Sequence, residues 1–556
     1  HQDVLDIGQQ ALDYSLQTNN TTLQIISLVS LGYSYNGLEQ YEQGAEYGQQ
    51  ALELAQQTTN AELQVRAYAL LLTALSELNR HQDVLDIGQQ ALDYSLQTNN
   101  TTLQIISLVS LGYSYNGLEQ YETALDLAQQ ALQLAYQITL EDKGLQVLAL
   151  SVLSSAHNGL EQYETAVEYG QQALELAQQI KNIDLQTITA NALIEMYSNR
   201  KQYDVAIRLG QQILEIAQEN KNSKLEVAAL SVLVALHGSL YNFSQAINYA
   251  DQALSINQST NSATLEIAIL LELLILYDFL GAYQELTKTI QQIVSAAERL
   301  NDPSLYSIFE WMELVILSYV AYMENDLPQA IALAENSLTV ALATDNAPGI
   351  ANTSWLKNYS YLILAIAYGE TENHPYALKL LAESEEFWQE QQDRDTEISA
   401  LQIAGGIYRY HNQAGIALEK HQQALSISIQ QDDTPSVALA HAGIARSYRL
   451  LDKPVAAIFH YKEAINRIES IRGRNISLDP ELQTSLLEQF IDFGRVRLVD
   501  LYRELTDLLL SQGRVLEAQQ ALELLKKQEL YDYTRSGSNR PDLSLNNVEA
   551  EINELF

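Results

Sequence analysis

Residues 1–42 read HQDVLDIGQQALDYSLQTNNTTLQIISLVSLGYSYNGLEQYE, and residues 81–122 repeat the same letters without a change. Self-similarity at a fixed interval is the signature of a protein built from stacked repeats. The copy extends to polar positions that packing does not constrain. It therefore informs us about architecture and says little about which residues bind, although two identical patches two repeats apart would suit an extended or repetitive ligand.

A weaker register with half that interval runs through most of the chain. An aromatic residue or histidine returns about every 40 residues, and a small or aliphatic residue follows three positions later, as Ala124 follows Tyr121. We call the first of these two recurring positions the aromatic slot. It is occupied by Tyr41, His81, Tyr121, Tyr163, Tyr203, Phe243 and Tyr283, and less regularly by Leu327, His374, Ala414, Pro454 and Val515.

The cleanest unit is LGYSYNGLEQYETALDLAQQA, residues 111–131. It resembles the tetratricopeptide repeat, in which L-G-x-x-Y on one helix is followed by small residues on the next. Gly112 and the alanines allow two antiparallel helices to approach, while Leu111, Tyr115 and Tyr121 fill the gap between them. We therefore expect an all-α fold, an α-solenoid of stacked antiparallel helix pairs forming a right-handed superhelix, with no strand pattern anywhere.

The register predicts a half-repeat over residues 1–20 and twelve helix pairs from 22 to 530. It divides the chain into a regular array (1–300), divergent repeats (301–471), a C-terminal helix pair (472–535) and a linker or tail (536–556). Because the chain opens in mid-repeat, we expect the natural protein to extend further upstream.

Composition favours a reduced, cytoplasmic protein, since the chain has 8 prolines and no cysteine. We see no uninterrupted apolar run long enough for a membrane span and no signal segment, so no membrane partner is expected. The net charge is −39, and residues 1–200 hold 5 Lys or Arg against 23 Asp or Glu. Phosphate contacts need clustered cations, so this acidic part argues against nucleic acid.

Cations concentrate near the C-terminus, where residues 401–556 hold 17 Lys or Arg against 21 Asp or Glu. One interpretation is a solvated face with ion pairs to Glu463, Glu469 and Asp500. The other is a basic patch that receives an acidic partner or the acidic part of the same protein. The candidate patch consists of Arg446, Arg449, Arg472, Arg474, Arg495 and Arg503.

Residues 460–540 resemble the last repeats of bacterial CHAT proteins. The carrying residues are Ile468-Glu469-Ser470, Glu481 to Ser485, and Ala521 to Leu530 with Asp532-Tyr533. In that family, common in cyanobacteria, a tetratricopeptide array precedes a caspase-like cysteine peptidase domain. The resemblance implies that this chain is the regulatory arm of such a protease. The family's catalytic pair is a His and a Cys, and this chain contains no Cys, so no catalytic residue carries over.

The chain itself offers no catalytic, cofactor or metal constellation, and we expect a non-enzyme without cofactors. The 9 His residues are scattered, and His157 and His237 occupy the core position of Tyr115. No phosphate-binding glycine loop is present.

The concave face of the solenoid is the better candidate site, since stacked helix pairs present an extended concave surface. Asn could bind the main chain of a peptide, and Tyr combines apolar area with a polar tip. Asn36-Gly37, Asn116-Gly117 and Asn158-Gly159 also suit helix-ending turns. The candidate residues are Tyr33, Asn36, Thr73, Ser76, Tyr113, Asn116 and Asn158.

Two functions follow as hypotheses. In the first, the chain is a protein-interaction scaffold, the sensing arm of a CHAT-type protease or a standalone peptide-binding adaptor. Its partner is a protein or peptide ligand, or its own downstream domain. In the second, it is a structural solenoid that self-associates through acidic and basic parts meeting head to tail.

Overall fold

The computed structural model describes residues 2–38, 40–137, 143–300, 302–345, 353–473, 475, 482, 490–492 and 496–531. They form two compact units, His1–Asn220 and Lys221–Phe556. The predicted all-α solenoid is confirmed: helix α1 is followed by twelve antiparallel helix pairs, α2–α3 to α24–α25.

The first unit contains eleven helices: α1 Gln2–Gln17, α2 Thr21–Asn36, α3 Tyr41–Gln56, α4 Ala61–Glu77, α5 His81–Thr98, α6 Thr101–Gly117, α7 Tyr121–Ala135, α8 Lys143–Gly159, α9 Tyr163–Gln179, α10 Ile183–Asn199 and α11 Tyr203–Glu219.

Among its described residues, the second unit has fourteen helices of known bounds and two short strands: α12 Ser223–Ser239, α13 Phe243–Thr260, α14 Ala263–Leu280, α15 Tyr283–Glu298, α16 Pro303–Met323, α17 Leu327–Asp345, α18 Ser354–Gly369, α19 His374–Gln391, α20 Arg394–Tyr410, α21 Ala414–Gln431, α22 Thr434–Leu450, α23 Pro454–Gly473, β1 Phe490–Asp492, β2 Val496–Arg497, α24 Leu498–Ser511 and α25 Val515–Tyr531.

The turns are set by two recurring local signals. We call the two helices of each pair its first and its second helix, in chain order. Many first helices begin after an Asn, Ser or Asp cap; for example, Asn100 Oδ1 accepts a hydrogen bond from the Leu103 N–H at 2.8 Å. Within most pairs, the residue two positions before the second helix is left-handed, and it is usually not glycine. Glu161 and Lys201 have φ of 59° and 57° there. The Asn-Gly dipeptides do mark helix ends, but the left-handed residue follows them.

Small residues allow the helices of a pair to approach closely, as expected. Ala124, Ala128 and Ala131 on α7 are completely buried. Gly159 is required by its neighbour in the preceding pair, because a Cβ at this position would overlap the Tyr121 ring. The aromatic slot of one pair is therefore matched to the first helix of the next pair.

In the first unit, the first helices of successive pairs also contact one another, α2 with α4, α4 with α6, α6 with α8 and α8 with α10. Among the described residues, no two second helices make a comparable contact. The first helices therefore lie closer together and line the inner face of this unit.

Helix α16 is the one helix of the described chain whose length and composition would allow it to cross a membrane, over Leu305–Met323. This qualifies the expectation that no such segment exists. Part of the helix is packed in protein: Trp311 and Val315 belong to a buried cluster with Ala334 on α17 and Leu356 on α18.

In the second unit, the side chain of one asparagine connects two segments that are far apart in sequence. The side chain of Asn475, after α23, accepts from the Phe243 N–H at 2.8 Å and donates to the Tyr241 carbonyl at 2.6 Å. It also donates to the Ile471 carbonyl at 2.9 Å, and Asn475 is buried. One amide thus fastens the end of α23 to the turn between α12 and α13.

The C-terminal pair differs from its prediction. The sequence predicts a helix pair over residues 472–535, and the described residues of this segment also include the antiparallel strands β1 and β2 before the pair, which begins at Leu498. Strand β1 lies against α20 and α22, which are both first helices, and β2 lies against α24. The packing surface offered by α20 and α22 explains why such a short strand pair is stable. The predicted tail 536–556 lies outside the described residues.

Candidate functional site

Exposed apolar side chains on the first helices follow one rule of position. Most lie either 8 or 15 residues before the start of the following second helix, which places them two turns apart on one helix face. We call these two positions the inner stripe. Its exposed large apolar residues are Ile26 and Tyr33 on α2, Tyr113 on α6, Ile188 on α10, Ile275 on α14 and Tyr359 on α18.

Three of the predicted site residues lie on the inner stripe of the first unit. Tyr33 and Tyr113 are 44% and 45% exposed, and Thr73 is exposed between them. Partial burial raises the pKa of the Tyr33 hydroxyl, while the nearby Arg66 opposes the rise. The Tyr113 hydroxyl donates to Asn79 Oδ1 at 3.3 Å. A tyrosine row with a neighbouring cation is therefore open to solvent.

The predicted asparagine ladder is wrong for Asn36 and Asn116. The polar atoms of the Asn36 side chain are buried, and a Cβ on Gly44 would collide with its Oδ1. The Asn116 amide donates to the Val152 carbonyl on α8 at 3.1 Å, and its Oδ1 is buried. These short side chains turn toward neighbouring helices and cannot contact a peptide.

The other two predicted residues are intermediate. Ser76 and Asn158 are half-buried, and the Ser76 hydroxyl is buried. Neither is as exposed as Thr73 or Tyr113, so neither adds a clear ligand contact to the inner stripe.

In the second unit, the inner stripe borders a rigid aromatic cluster. Trp311 on α16 is buried and lies edge-to-face against Trp355 at 5.3 Å and against Tyr359 at 5.8 Å. Its indole N–H donates to the Ser360 hydroxyl at 2.8 Å. Trp355 and Tyr359 themselves remain partly exposed on α18. The buried tryptophan therefore holds two exposed aromatic rings in place.

A carboxylate on α14 has no described partner. Asp278 lies in the last turn of α14, and its side chain makes no hydrogen bond or ion pair with any described residue. The residue is exposed, yet desolvation by the surrounding protein raises the pKa of its carboxyl to about 6. Burial also raises the pKa of the hydroxyls of Tyr319 on α16 and Tyr359 on α18, and the charge of Asp278 adds to the rise.

Toward the C-terminus, the protein covers its own inner stripe. Strand β1 lies on α20 and α22, and Arg446, in the stripe position of α22, is only 4% exposed. The Arg446 Nε donates to Glu504 Oε2 at 2.8 Å. Among the described residues of this unit, the exposed large apolar residues of the inner stripe are Ile275 on α14 and Tyr359 on α18.

The predicted basic patch is an ion-paired cluster. Arg449 approaches Glu504 at 3.7 Å, Arg472 binds Glu469 at 3.1 Å, and Arg503 binds Asp500 at 3.3 Å. The solvated-face interpretation correctly named Glu469 and Asp500 among the carboxylates that form ion pairs. It failed for Arg446 and Arg472, whose side chains are buried, Arg472 together with Glu469. Arg474 and Arg495 lie outside the described residues.

The histidines serve packing where the structure describes their contacts. His157 stacks on Tyr169 at 5.4 Å and its Nδ1 lies 2.7 Å from Gln162 Oε1. Burial lowers the pKa of His237. Among the described residues, no group of three or more His, Asp or Glu side chains could hold a metal ion.

Residues 103–179 match the tetratricopeptide repeat family. This match covers α6 to α9, the region of the clearest Tyr-then-Ala register. No curated protein sequence matches the chain.

Several solved structures are similar to this chain. The apo form of RapI is 12% identical, with 73% of this chain and 98% of that chain covered and a TM-score of 0.42. The apo quorum sensor NprR from B. thuringiensis is 10% identical, with 66% and 99% covered and a TM-score of 0.46. The Cut9–Hcn1 assembly is 14% identical, with 94% and 96% covered and a TM-score of 0.32.

Proposed function

We propose that the chain is a protein-interaction scaffold whose inner stripe binds an extended segment of protein or peptide. The carrying observation is the stripe itself. Tyr33 and Tyr113 in one unit and Ile275 and Tyr359 in the other remain exposed at the two positions that define the inner stripe. Exposed apolar residues that recur on successive first helices of a unit are typical of interaction surfaces, and tyrosine is favoured there.

The test compares exposed tyrosines on the first helices of the first unit with exposed tyrosines on, or directly after, its second helices. A random peptide library is selected on the full chain, and affinities are measured for Tyr33→Ala/Tyr113→Ala and for the control Tyr14→Ala/Tyr136→Ala. The control tyrosines are also exposed but belong to a second helix and the residue following one. We expect the inner variant to lose at least about tenfold in affinity, as for removal of interface anchors, and the control to bind normally. Equal affinity of both variants for every selected peptide would reject the inner stripe as the binding surface.

The finer assignment, a ligand-sensing arm of a CHAT-type protease in the cytoplasm, is part of the proposal. It rests on the resemblance of residues 460–540 and on the lack of cysteine. A buried cluster joins α22 and α23 to α24 and α25. In this proposal, the cluster transmits a conformational change of the helix pairs to a downstream peptidase domain. Reading the genomic frame around this chain tests it, since a His-and-Cys peptidase domain downstream is required.

Self-association through acidic and basic parts is the weaker alternative, because the described arginines of the supposed basic patch already have carboxylate partners. Sedimentation at low and high salt decides the matter. Salt-sensitive oligomers would support it, and a monomer at low salt would exclude it.

A further inference from the structure

We propose that the inner stripe of α2, α4 and α6 binds an extended polypeptide segment that has apolar side chains and no acidic residue. The contact surface is formed by Tyr33 on α2, Thr73 on α4 and Tyr113 on α6, which we call the tyrosine row. The inference rests on the proposed function, and it specifies the chemistry of the ligand for the first unit.

Direct contacts between the three helices hold the tyrosine row together. Next to Tyr33, Gly32 allows α2 to approach α4, because a Cβ at this position would overlap the Leu70 side chain. On the other side of α4, the Tyr113 hydroxyl donates a hydrogen bond to Asn79 Oδ1, in the turn after α4, at 3.3 Å. The two tyrosines therefore lie at defined positions on either side of α4, and both rings are partly exposed.

The three helices carry few charges. Helices α2 and α6 contain no Asp, Glu, Lys or Arg. Helix α4 contains Glu62, Arg66 and Glu77, which are all exposed. Arg66 Nη2 forms an ion pair with Glu62 Oε1 at 2.6 Å, whereas Glu77 forms no ion pair with any described residue. The charge that these helices leave uncompensated is therefore negative.

This negative charge lies close to the tyrosine row. Glu77 follows Thr73 by four residues, which is about 6 Å along the helix and on the same face. Arg66 precedes Thr73 by seven residues, about 10 Å along the helix. An acidic ligand residue over Thr73 would therefore lie nearer to a carboxylate than to a cation.

The wider surroundings are acidic as well. Residues 1–142 hold two Lys or Arg against seventeen Asp or Glu. Both cations already have partners, since Arg66 pairs with Glu62 and Arg80 pairs with Asp83 at 2.5 Å. Like charges brought together at an interface are strongly unfavourable, so this surface discriminates against an acidic segment. The exposed tyrosine rings favour apolar side chains instead.

The spacing of the tyrosines predicts the spacing of the ligand's apolar residues. Helices in contact lie about 10 Å apart, so two steps from α2 to α6 cover roughly 20 Å. An extended chain rises about 3.3 Å per residue, and every second side chain points to the same side. Two apolar anchors that contact Tyr33 and Tyr113 should therefore be about six residues apart.

The experiment begins with variants of the ligand. Peptides are selected from the random library on the full chain, and those that lose affinity in Tyr33→Ala/Tyr113→Ala are sequenced. We expect two apolar residues about six positions apart, with no Asp or Glu between them. The residue midway between the anchors is then replaced by Asp or by its neutral isostere Asn. The Asp peptide should bind at least about tenfold more weakly than the Asn peptide, because its charge meets Glu77.

A variant of the protein tests the cause of this difference. In Glu77→Gln, the Asp peptide should recover most of the lost affinity, and the Asn peptide should bind as it does to the wild type. Glu46→Gln is the matched control, since Glu46 is an exposed carboxylate on the second helix α3, and it should leave the difference unchanged. Circular dichroism of each variant confirms that it is folded.

The outcomes separate this inference from the broader function. Tyrosine-dependent peptides that carry acidic residues between their anchors, or that bind equally well with Asp and with Asn, would overturn it and leave the scaffold intact. Anchors about thirteen residues apart would indicate a helical ligand, which rises about 1.5 Å per residue, and would also overturn it. If no selected peptide depends on Tyr33 and Tyr113 more than on the control tyrosines, the proposed function fails together with this inference.

Discussion

Replacing Asp278 by asparagine should stabilise the second unit at neutral pH. The substitution keeps the size of the side chain and removes a charge that has no described partner.

The magnitude follows from the pKa. Burial raises the pKa of the Asp278 carboxyl from 3.8 to about 6, and two units would correspond to about 3 kcal/mol for a fully desolvated group. Asp278 is exposed, and solvent screens its charge, so we expect about 1 kcal/mol at pH 7.5.

The pH dependence has a defined sign. An acid whose pKa is higher in the folded state binds its proton more tightly when folded, so its ionisation destabilises the protein as pH rises. The advantage of Asp278→Asn should therefore be full above about pH 6, shrink as the pH falls through the window from 6 to 3.8, and vanish below it.

Urea unfolding followed by tryptophan fluorescence is a suitable assay. All three tryptophans, Trp311, Trp355 and Trp388, belong to the second unit. We compare the urea concentrations at the unfolding midpoint only between proteins whose unfolding curves have the same slope. This condition is needed because a long repeat array need not unfold in one step. Equal midpoints at pH 7.5, or a variant less stable than wild type, would refute the argument that Asp278 is an unpaired, desolvated charge. Glu298→Gln is the matched control and should not move the midpoint.

Other predictions concern the fold. Asn475→Ala should cost about 2 kcal/mol in urea unfolding, because it leaves buried backbone groups of residues 241–243 unsatisfied; an unchanged midpoint would mean that this fastening is dispensable. Gly159→Ala should lower the thermal midpoint of the first unit, since its Cβ overlaps the Tyr121 ring, at a cost of about 1–3 kcal/mol; a neutral effect would show that the ring can move. Lys201→Gly should be neutral or stabilise by up to about 1 kcal/mol, because Lys201 is left-handed; a clear loss of stability by circular dichroism would contradict this.

The helix pairs could be predicted because packing dictates them. The aromatic slot and the small or aliphatic residue after it pack the two helices of a pair together. The register therefore located the pairs from α2–α3 to α22–α23, even where only Pro454 and Ala457 remain of it. The strands β1 and β2 could not be found in this way, since two or three residues show no alternation and depend on the helices beneath them.

The candidate site was predicted only in part. The exposure of Tyr33, Thr73 and Tyr113 on the first helices could be predicted because an exposed helix face follows from helix periodicity; their role in binding stays a prediction. Asn36 failed because a short amide can turn into a helix–helix gap, which sequence does not reveal.

The central claim is that a polypeptide ligand lies along the first helices, and site-specific photo-cross-linking tests it most directly. A benzophenone amino acid is introduced in place of Thr73 on the inner stripe or in place of Tyr14 on the second helix α1, both exposed. With a peptide selected on the full chain, we predict cross-links from position 73 and none from position 14. Cross-links from position 14 alone would contradict the account.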